Sequence, residues 1–210
     1  MGNFDSLNNL CGRAKDRLPR MYRKTVVRQF CWLLCFAWCL CIAHAAPPSK
    51  LIFEDLEGRP HEPLNAGRKL GSVLIFYLHD CPICNAYAPE INRICAAYTN
   101  FSFYIVQVDA DLTDEPAKQH AKDYELRAPV LLDQEHRLVK ATKAKVTPEA
   151  VIIGKNGRVA YRGRIDDQFP ELGKKRPVAT TTDLKDALEA IQAGRTMKKK
   201  ETRAVGCAIE

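Results

Sequence analysis

The sequence lacks a run of about 20 apolar residues, the length a helix needs to cross a bilayer at 1.5 Å per residue. The apolar stretch from Phe30 to Ala43 covers only 14. No segment repeats at a fixed period, which excludes solenoid and propeller architectures. There is one Cys-x-x-Cys, Cys81-Pro82-Ile83-Cys84, and no second pair at that spacing, so the paired knuckles of a structural zinc site are missing. Position 85 is Asn, where covalent haem attachment needs His, and no Leu-Ala-Gly-Cys-like lipobox precedes any cysteine. Basic charge on the body of the chain is also scarce. Residues 1–45 hold seven of the 32 Lys and Arg and two of the 25 Asp and Glu, so 25 basic residues face 23 acidic ones beyond them. The formal +7 of the whole chain falls to +2, which argues against nucleic-acid binding through a basic stripe.

What is present at the N-terminus has a clear order. Seven basic residues between Arg13 and Arg28 precede the 14-residue apolar run, and Ala43-His44-Ala45 follows it. A basic region, a short apolar region and a small-x-small site make a secretory signal peptide over residues 1–45; retention as a membrane anchor is the alternative. The expected location is therefore exported, periplasmic or secreted, where thiols oxidise. Five of the nine cysteines fall in this segment, leaving Cys81, Cys84, Cys95 and Cys207.

Beyond Pro47 the pattern alternates between strand and helix. Leu51–Leu56 reads as a short strand ending at a turn around Gly58, and the continuous apolar run Ser72–Leu78 reads as a strand buried on both faces. Helical spacing from Pro82 to Tyr98 carries Tyr87, Ile91, Ile94 and Cys95, with Pro82 suited to the first helical position and Pro89 expected to kink the helix. Phe101–Val108 predicts a second buried strand, Thr113 caps a helix to about Leu126, and Val130–Leu132 predicts a short strand. His136–Lys143 predicts a short helix, and Asn156-Gly157 between two apolar runs predicts a hairpin. Thr182-Asp183 caps a final amphipathic helix to Gly194, and the basic tail, residues 195–210 with Cys207, is expected to be exposed or loosely docked. The order predicts an α/β domain over residues 46–194, with a mixed central sheet and helices on both faces.

The chemistry concentrates at Cys81 and Cys84, where a strand gives way to a helix. A thiol at a helix N-terminus lies at the positive end of the macrodipole and ionises more readily. Two thiols three residues apart on a first turn suit thiol–disulfide exchange, with Cys81 as the exposed nucleophile and Cys84 as the buried resolving thiol. A purely structural disulfide is the other reading of the pair. Copper held by the thiols with His79, Asp80 and His136 is a further possibility for soft sulfur plus imidazole, but exposed histidines are common and no cofactor is expected. Cys95 lies on the apolar side of its helix and reads as a buried core thiol. Cys207, in Val205-Gly-Cys-Ala-Ile209, reads as a free thiol, an intermolecular link or a tail thiol that reaches Cys81.

Asp80-Cys-Pro-Ile-Cys-Asn-Ala-Tyr-Ala-Pro-Glu-Ile91, Val146-Thr-Pro-Glu-Ala150 and Gly157–Asp167 resemble the secreted thioredoxin-like redoxin proteins, relatives of thioredoxin and of the alkyl hydroperoxide reductase/thiol-specific antioxidant group. The resemblance runs from about Phe53 to Gln192. It implies a thioredoxin-like fold and an extracytoplasmic thiol–disulfide oxidoreductase in which Pro148 is cis and faces the active-site cysteines. It also implies that the backbone of Thr147 pairs with a substrate chain. The expected partners are protein or small thiol and disulfide substrates and a redox partner, with no nucleic acid, and a membrane only if residues 1–45 stay as an anchor. Three positions depart from the pattern. Asp80 stands where thioredoxins usually carry Trp, Ile75 where they bury an acid, and Leu78 where peroxiredoxins place Thr or Ser. These changes weigh against a standard thioredoxin turnover and against a thiol peroxidase. A non-enzymatic thioredoxin-fold module that binds copper or a partner remains the alternative from another class.

Overall fold

The computed structural model describes residues 50–210; the segment expected to be a signal peptide lies outside them. The apolar run forms β3 (Gly71–Tyr77), whose seven residues are all buried. It lies between a parallel neighbour, β4 (Ser102–Gln107), and an antiparallel one, β7 (Glu149–Gly154). β5 (Val130–Leu132) extends the sheet beside β4 and β8 (Val159–Gly163) closes it beside β7, giving the order β5-β4-β3-β7-β8. A strand with partners on both edges and helices on both faces has no polar face, so β3 reads as one continuous hydrophobic run. The hairpin turns at Gly157, whose φ of 70° is costly for any residue with a Cβ.

Alternation along these strands divides the core in two. Val73, Ile75, Tyr77, Ile105, Ala150 and Ile152 face α1 (Pro82–Ala97) and α4 (Asp183–Gln192), which contribute Tyr87, Ile91, Ile94, Leu184 and Leu188. Leu74, Phe76, Val106, Val151 and Ile153 face the other way, onto Leu138 of α3 (Arg137–Thr142) and Phe53 of β1 (Phe53–Glu54). β1 pairs with β2 (Pro60–His61) around the turn at Gly58. α2 (Asp114–Asp123) leans on α1 through His120, whose Nε2 donates to Asn85 Oδ1 at 3.0 Å. The expected α/β class, with a mixed sheet covered on both sides, is the architecture found.

Local differences from the sequence reading have physical causes. α2 stops at Asp123, and Glu125 turns the chain at a φ of 50°, so the expected helix to Leu126 is shorter. Thr113 occupies the N-cap of α2, but its hydroxyl makes no capping bond. The cap of α3 comes from an unexpected residue. Buried Asp133 accepts the N–H groups of Arg137, Leu138 and Val139 at 2.7, 2.9 and 3.0 Å, satisfying donors that a helix start leaves free. Two more strands, β6 (Val146–Thr147) and β9 (Cys207–Ala208), pair antiparallel as a small separate sheet. The tail, expected to be exposed or loosely docked, is held by main-chain bonds at residues 200–202 and 207–209.

Removing the α3 cap by Asp133→Ala should lower stability by about 1–2 kcal/mol, measured by urea unfolding, since it strands three helix donors. Asp55 provides a pH test. Burial opposes its charge, but bonds from His61, Arg59 and Glu57 prevail and hold its carboxyl at about 2 against an ordinary 3.8. A depressed carboxyl contributes stability that is full above the unfolded value and is lost as pH falls through the folded one. Unfolding free energy should therefore drop between pH 4 and pH 2, and Asp55→Asn should flatten that part of the profile.

Candidate active site: three cysteines and a paired tail

β3 delivers the chain to one end of the sheet, where Leu78–Asp80 turn it into α1. Cys81 is the N-cap of that helix with an extended backbone, Pro82 follows at the first helical position, and Asn85 N–H donates to Cys81 O at 3.1 Å. Pro fits there because its missing N–H would have had no partner in any case. Opposite stands the turn between β6 and β7, where the Thr147-Pro148 peptide is cis and both residues are buried. The carbonyl of Thr147 lies 3.6 Å from Sγ of Cys81. The fold thus brings Cys81, Cys84, Thr147 and Pro148 to one place, from segments more than 60 residues apart.

The third participant is Cys207. Its sulfur is bonded to that of Cys81 across 126 residues of sequence, with the two Cα atoms 6.5 Å apart, and Cys84 is left as a free thiol. β9 reaches this position by pairing Cys207 with Thr147 and Ala208 with Val146. The Thr147 hydroxyl donates to the Cys207 carbonyl at 3.4 Å, and Ile209 N–H donates to Lys145 O at 3.1 Å. Cys81, expected to be exposed, is only 1% accessible because this strand covers it.

Cys84 is completely buried one helical turn into α1, and burial pushes its thiol up to about 12. The charge of Asp80 adds to that push, while hydrogen bonding from the Leu78 backbone and the Thr147 side chain opposes it. No carboxylate stands beneath it on β3; Ile75 fills that position inside the core. Cys95 sits half-buried against the same core instead of fully inside it, its thiol also pushed up to about 12 by burial.

Behind the helix start lies a polar cluster that the sequence reading missed. Tyr77 Oη donates to Asn85 Oδ1 at 3.0 Å, His120 shares that oxygen, and Asn85 Nδ2 donates to the His79 carbonyl at 3.0 Å. These bonds fix the loop before Cys81 to β3, α1 and α2 together. Tyr87 on α1 donates to Asp166 at 2.5 Å, tying the helix to the segment after β8. The only sequence signal for the cluster was a set of polar residues with no obvious partner on otherwise apolar elements. His79 lies 3.2 Å from Asp109 without hydrogen-bond geometry, and His136 donates to the Val108 carbonyl at 2.7 Å. Among the described residues no three His, Cys, Asp or Glu side chains cluster as a metal site.

A helix N-terminus carrying cysteines against a cis-proline turn, on a mixed five-stranded sheet, defines a thioredoxin-like fold. A model of the AhpC/TSA family matches residues 42–162, and the chain belongs to that family. It is 31% identical over 108 residues to the thiol-disulfide oxidoreductase ResA of Bacillus thuringiensis subsp. konkukian, covering 51% of this chain and 62% of that protein. The chain thus spans less than two thirds of the length of that relative. Among solved structures, an uncharacterized conserved protein from Geobacillus kaustophilus superposes with a TM-score of 0.67 at 25% identity, covering 79% of this chain and 89% of that one. A secreted Mycobacterium tuberculosis disulfide oxidoreductase homologous to E. coli DsbE gives 0.51 at 20% identity, covering 67% and 96%, a likeness of fold alone.

A thiol this far from its ordinary range should resist alkylation. In the folded, oxidised chain, iodoacetamide should label Cys84 more slowly at pH 7 than the same cysteine in urea. The rate should rise about tenfold per pH unit, because the thiolate is the reactive form and its fraction grows tenfold per unit below the pKa. Mass spectrometry of the labelled peptide reads the result.

Proposed function

We propose that this protein is an extracytoplasmic thiol–disulfide oxidoreductase in which Cys81 attacks, Cys84 resolves, and Thr147 and Pro148 shape the groove for the substrate chain. The observation that carries this reading is the sulfur of Cys81 bonded to a cysteine on an extended segment laid antiparallel along Thr147. That is the arrangement a mixed disulfide with a substrate requires, with main-chain pairing for affinity and a sulfur presented for exchange. The names of the ResA relatives support the activity, and the residues 1–45 pattern supports export.

The chemistry balances without a cofactor. A Cys81 thiolate attacks one sulfur of a substrate disulfide, and the other sulfur leaves with the bonding electron pair and takes up a proton. Cys84 then gives up its proton and attacks Cys81, forming the Cys81–Cys84 bond and releasing the second substrate thiol. An external thiol reductant must supply two electrons to restore the pair, and the same steps in reverse oxidise a substrate dithiol. Two features favour attack at Cys81: the α1 N-terminus stabilises its negative charge, and Cys84 is protonated at neutral pH. The apolar Ile75 provides no base for Cys84, so resolution is the slow step of this scheme.

Cys81→Ser should abolish reduction of insulin disulfides by the protein with dithiothreitol as electron source, while circular dichroism stays unchanged. In a Cys207→Ser background, where only Cys84 is left to resolve, Cys84→Ser should cut turnover by about 10²-fold or more and accumulate a substrate bonded through Cys81, visible on non-reducing gels. Exchange that persists in Cys81→Ser would refute the assignment. Consumption of hydrogen peroxide that depends on Cys81, with no disulfide exchange, would move the protein to the peroxidase class.

A further inference from the structure

The tail is held at two places, and each is shaped for it. At the first, Arg162 N–H donates to Lys200 O and Thr202 N–H donates to Arg162 O, both at 3.0 Å, while the Arg162 guanidinium donates to Glu201 at 2.6 Å. The Thr202 hydroxyl bonds the Tyr161 hydroxyl at 2.8 Å and accepts Arg164 N–H at 3.1 Å. A Cβ at Gly163 would collide with both the side chain and the backbone of Thr202, so β8 is built for the tail to pass closely. At the second place, a Cβ on Gly206 would overlap the Thr147 carbonyl oxygen and carbon. Only glycine can therefore precede Cys207 in this groove. Ala208 is exposed, and Ile209 packs against the core cluster that contains Leu74 and Leu138.

We propose that residues 206–209 are an internal substrate: Cys207 is a third exchanging thiol, and the groove beside Thr147 takes extended segments with glycine before the cysteine and an aliphatic residue two places after it. This rests on the exchange chemistry proposed above and specifies the substrate of that same site. The step needs no outside oxidant. Cys84 loses its proton and its sulfur attacks Sγ of Cys81. The Cys81–Cys84 bond forms as the Cys81–Cys207 bond breaks, and the electron pair leaves on the Cys207 sulfur, which takes up a proton. The oxidation level is unchanged, and the groove is emptied for an external chain. The reverse step returns the tail and buries Cys81 again.

Two measurements on the full chain test this. The first oxidises the reduced protein with one equivalent of diamide, quenches in acid, blocks with N-ethylmaleimide and maps the linked peptides. Wild type should hold both Cys81–Cys84 and Cys81–Cys207, Cys84→Ser only the latter, and Cys207→Ser only the former. Complete N-ethylmaleimide labelling of Cys207 in oxidised wild type, or a Cys207 bond between two copies, overturns the proposal. The second offers reduced Cys207→Ser a synthetic peptide of residues 203–210 whose cysteine carries thionitrobenzoate, and follows release of that group. Replacing the peptide glycine by alanine should slow release by at least about tenfold, as expected for one methyl forced into a filled space. Equal rates for the two peptides overturn the substrate pattern. The two readings fail separately. No release from either peptide or from free dithiobisnitrobenzoate sinks the exchange activity, whereas release without preference sinks only the internal substrate.

Discussion

The pairing of Cys207 with Thr147 sets the condition of everything around it. A bond between two cysteines 126 residues apart forms only if the chain between them returns to the same end of the sheet, and β6 provides the backbone edge that receives it. Because the edge is filled, Cys81 is buried, and because Cys81 is already bonded, Cys84 remains a lone thiol inside the core. The extended conformation of the tail follows from the same pairing, since an antiparallel partner fixes both direction and register.

The scaffold holds this end rigid by other means. The strand before Cys81 is buried throughout, and the loop at its end is bonded through Asn85 to Tyr77 and His120. Asp166 links the helix to the segment after β8, and Asp167 accepts bonds from Thr180 and Thr181 that steady the long loop leading to α4. These polar contacts lie at the rim of an apolar interior, where a satisfied group costs little and an orphaned one costs one to several kcal/mol, about 1–3 on mutational scales. Their effect is to fix where the sulfurs sit.

Much of this was legible in the residue order. β3, β4 and α1 stood out because burial on two faces, or on one helical stripe, leaves a pattern in every residue, and Asn156-Gly157 announced its hairpin. The Cys81 and Cys84 positions followed from the strand-to-helix change between them. β6 and β9 were not legible, because strands of two residues have no periodicity and their pairing spans about 60 residues. Gly206 acquired meaning only when Thr147 stood opposite it. Asp133 resembled any loop acid until three helix N–H groups converged on it. The basic character of the tail drew its reading toward solvent, though Lys200, Glu201, Thr202, Cys207 and Ile209 all make contacts that dock it.

The anchor at Thr202 has a consequence for time and concentration. Its bonds to Arg162, Tyr161 and Arg164 contain no sulfur, so reducing or exchanging the Cys207 bond leaves them intact. A released Cys207 is then tethered five residues from a fixed point and, at about 3.5 Å per residue, stays within roughly 18 Å of it. A short tether of this kind keeps its end at a local concentration on the order of millimolar. Under the proposed exchange, external thiols at micromolar levels would compete poorly with it, and an incoming chain would gain the groove by matching its shape and not by abundance.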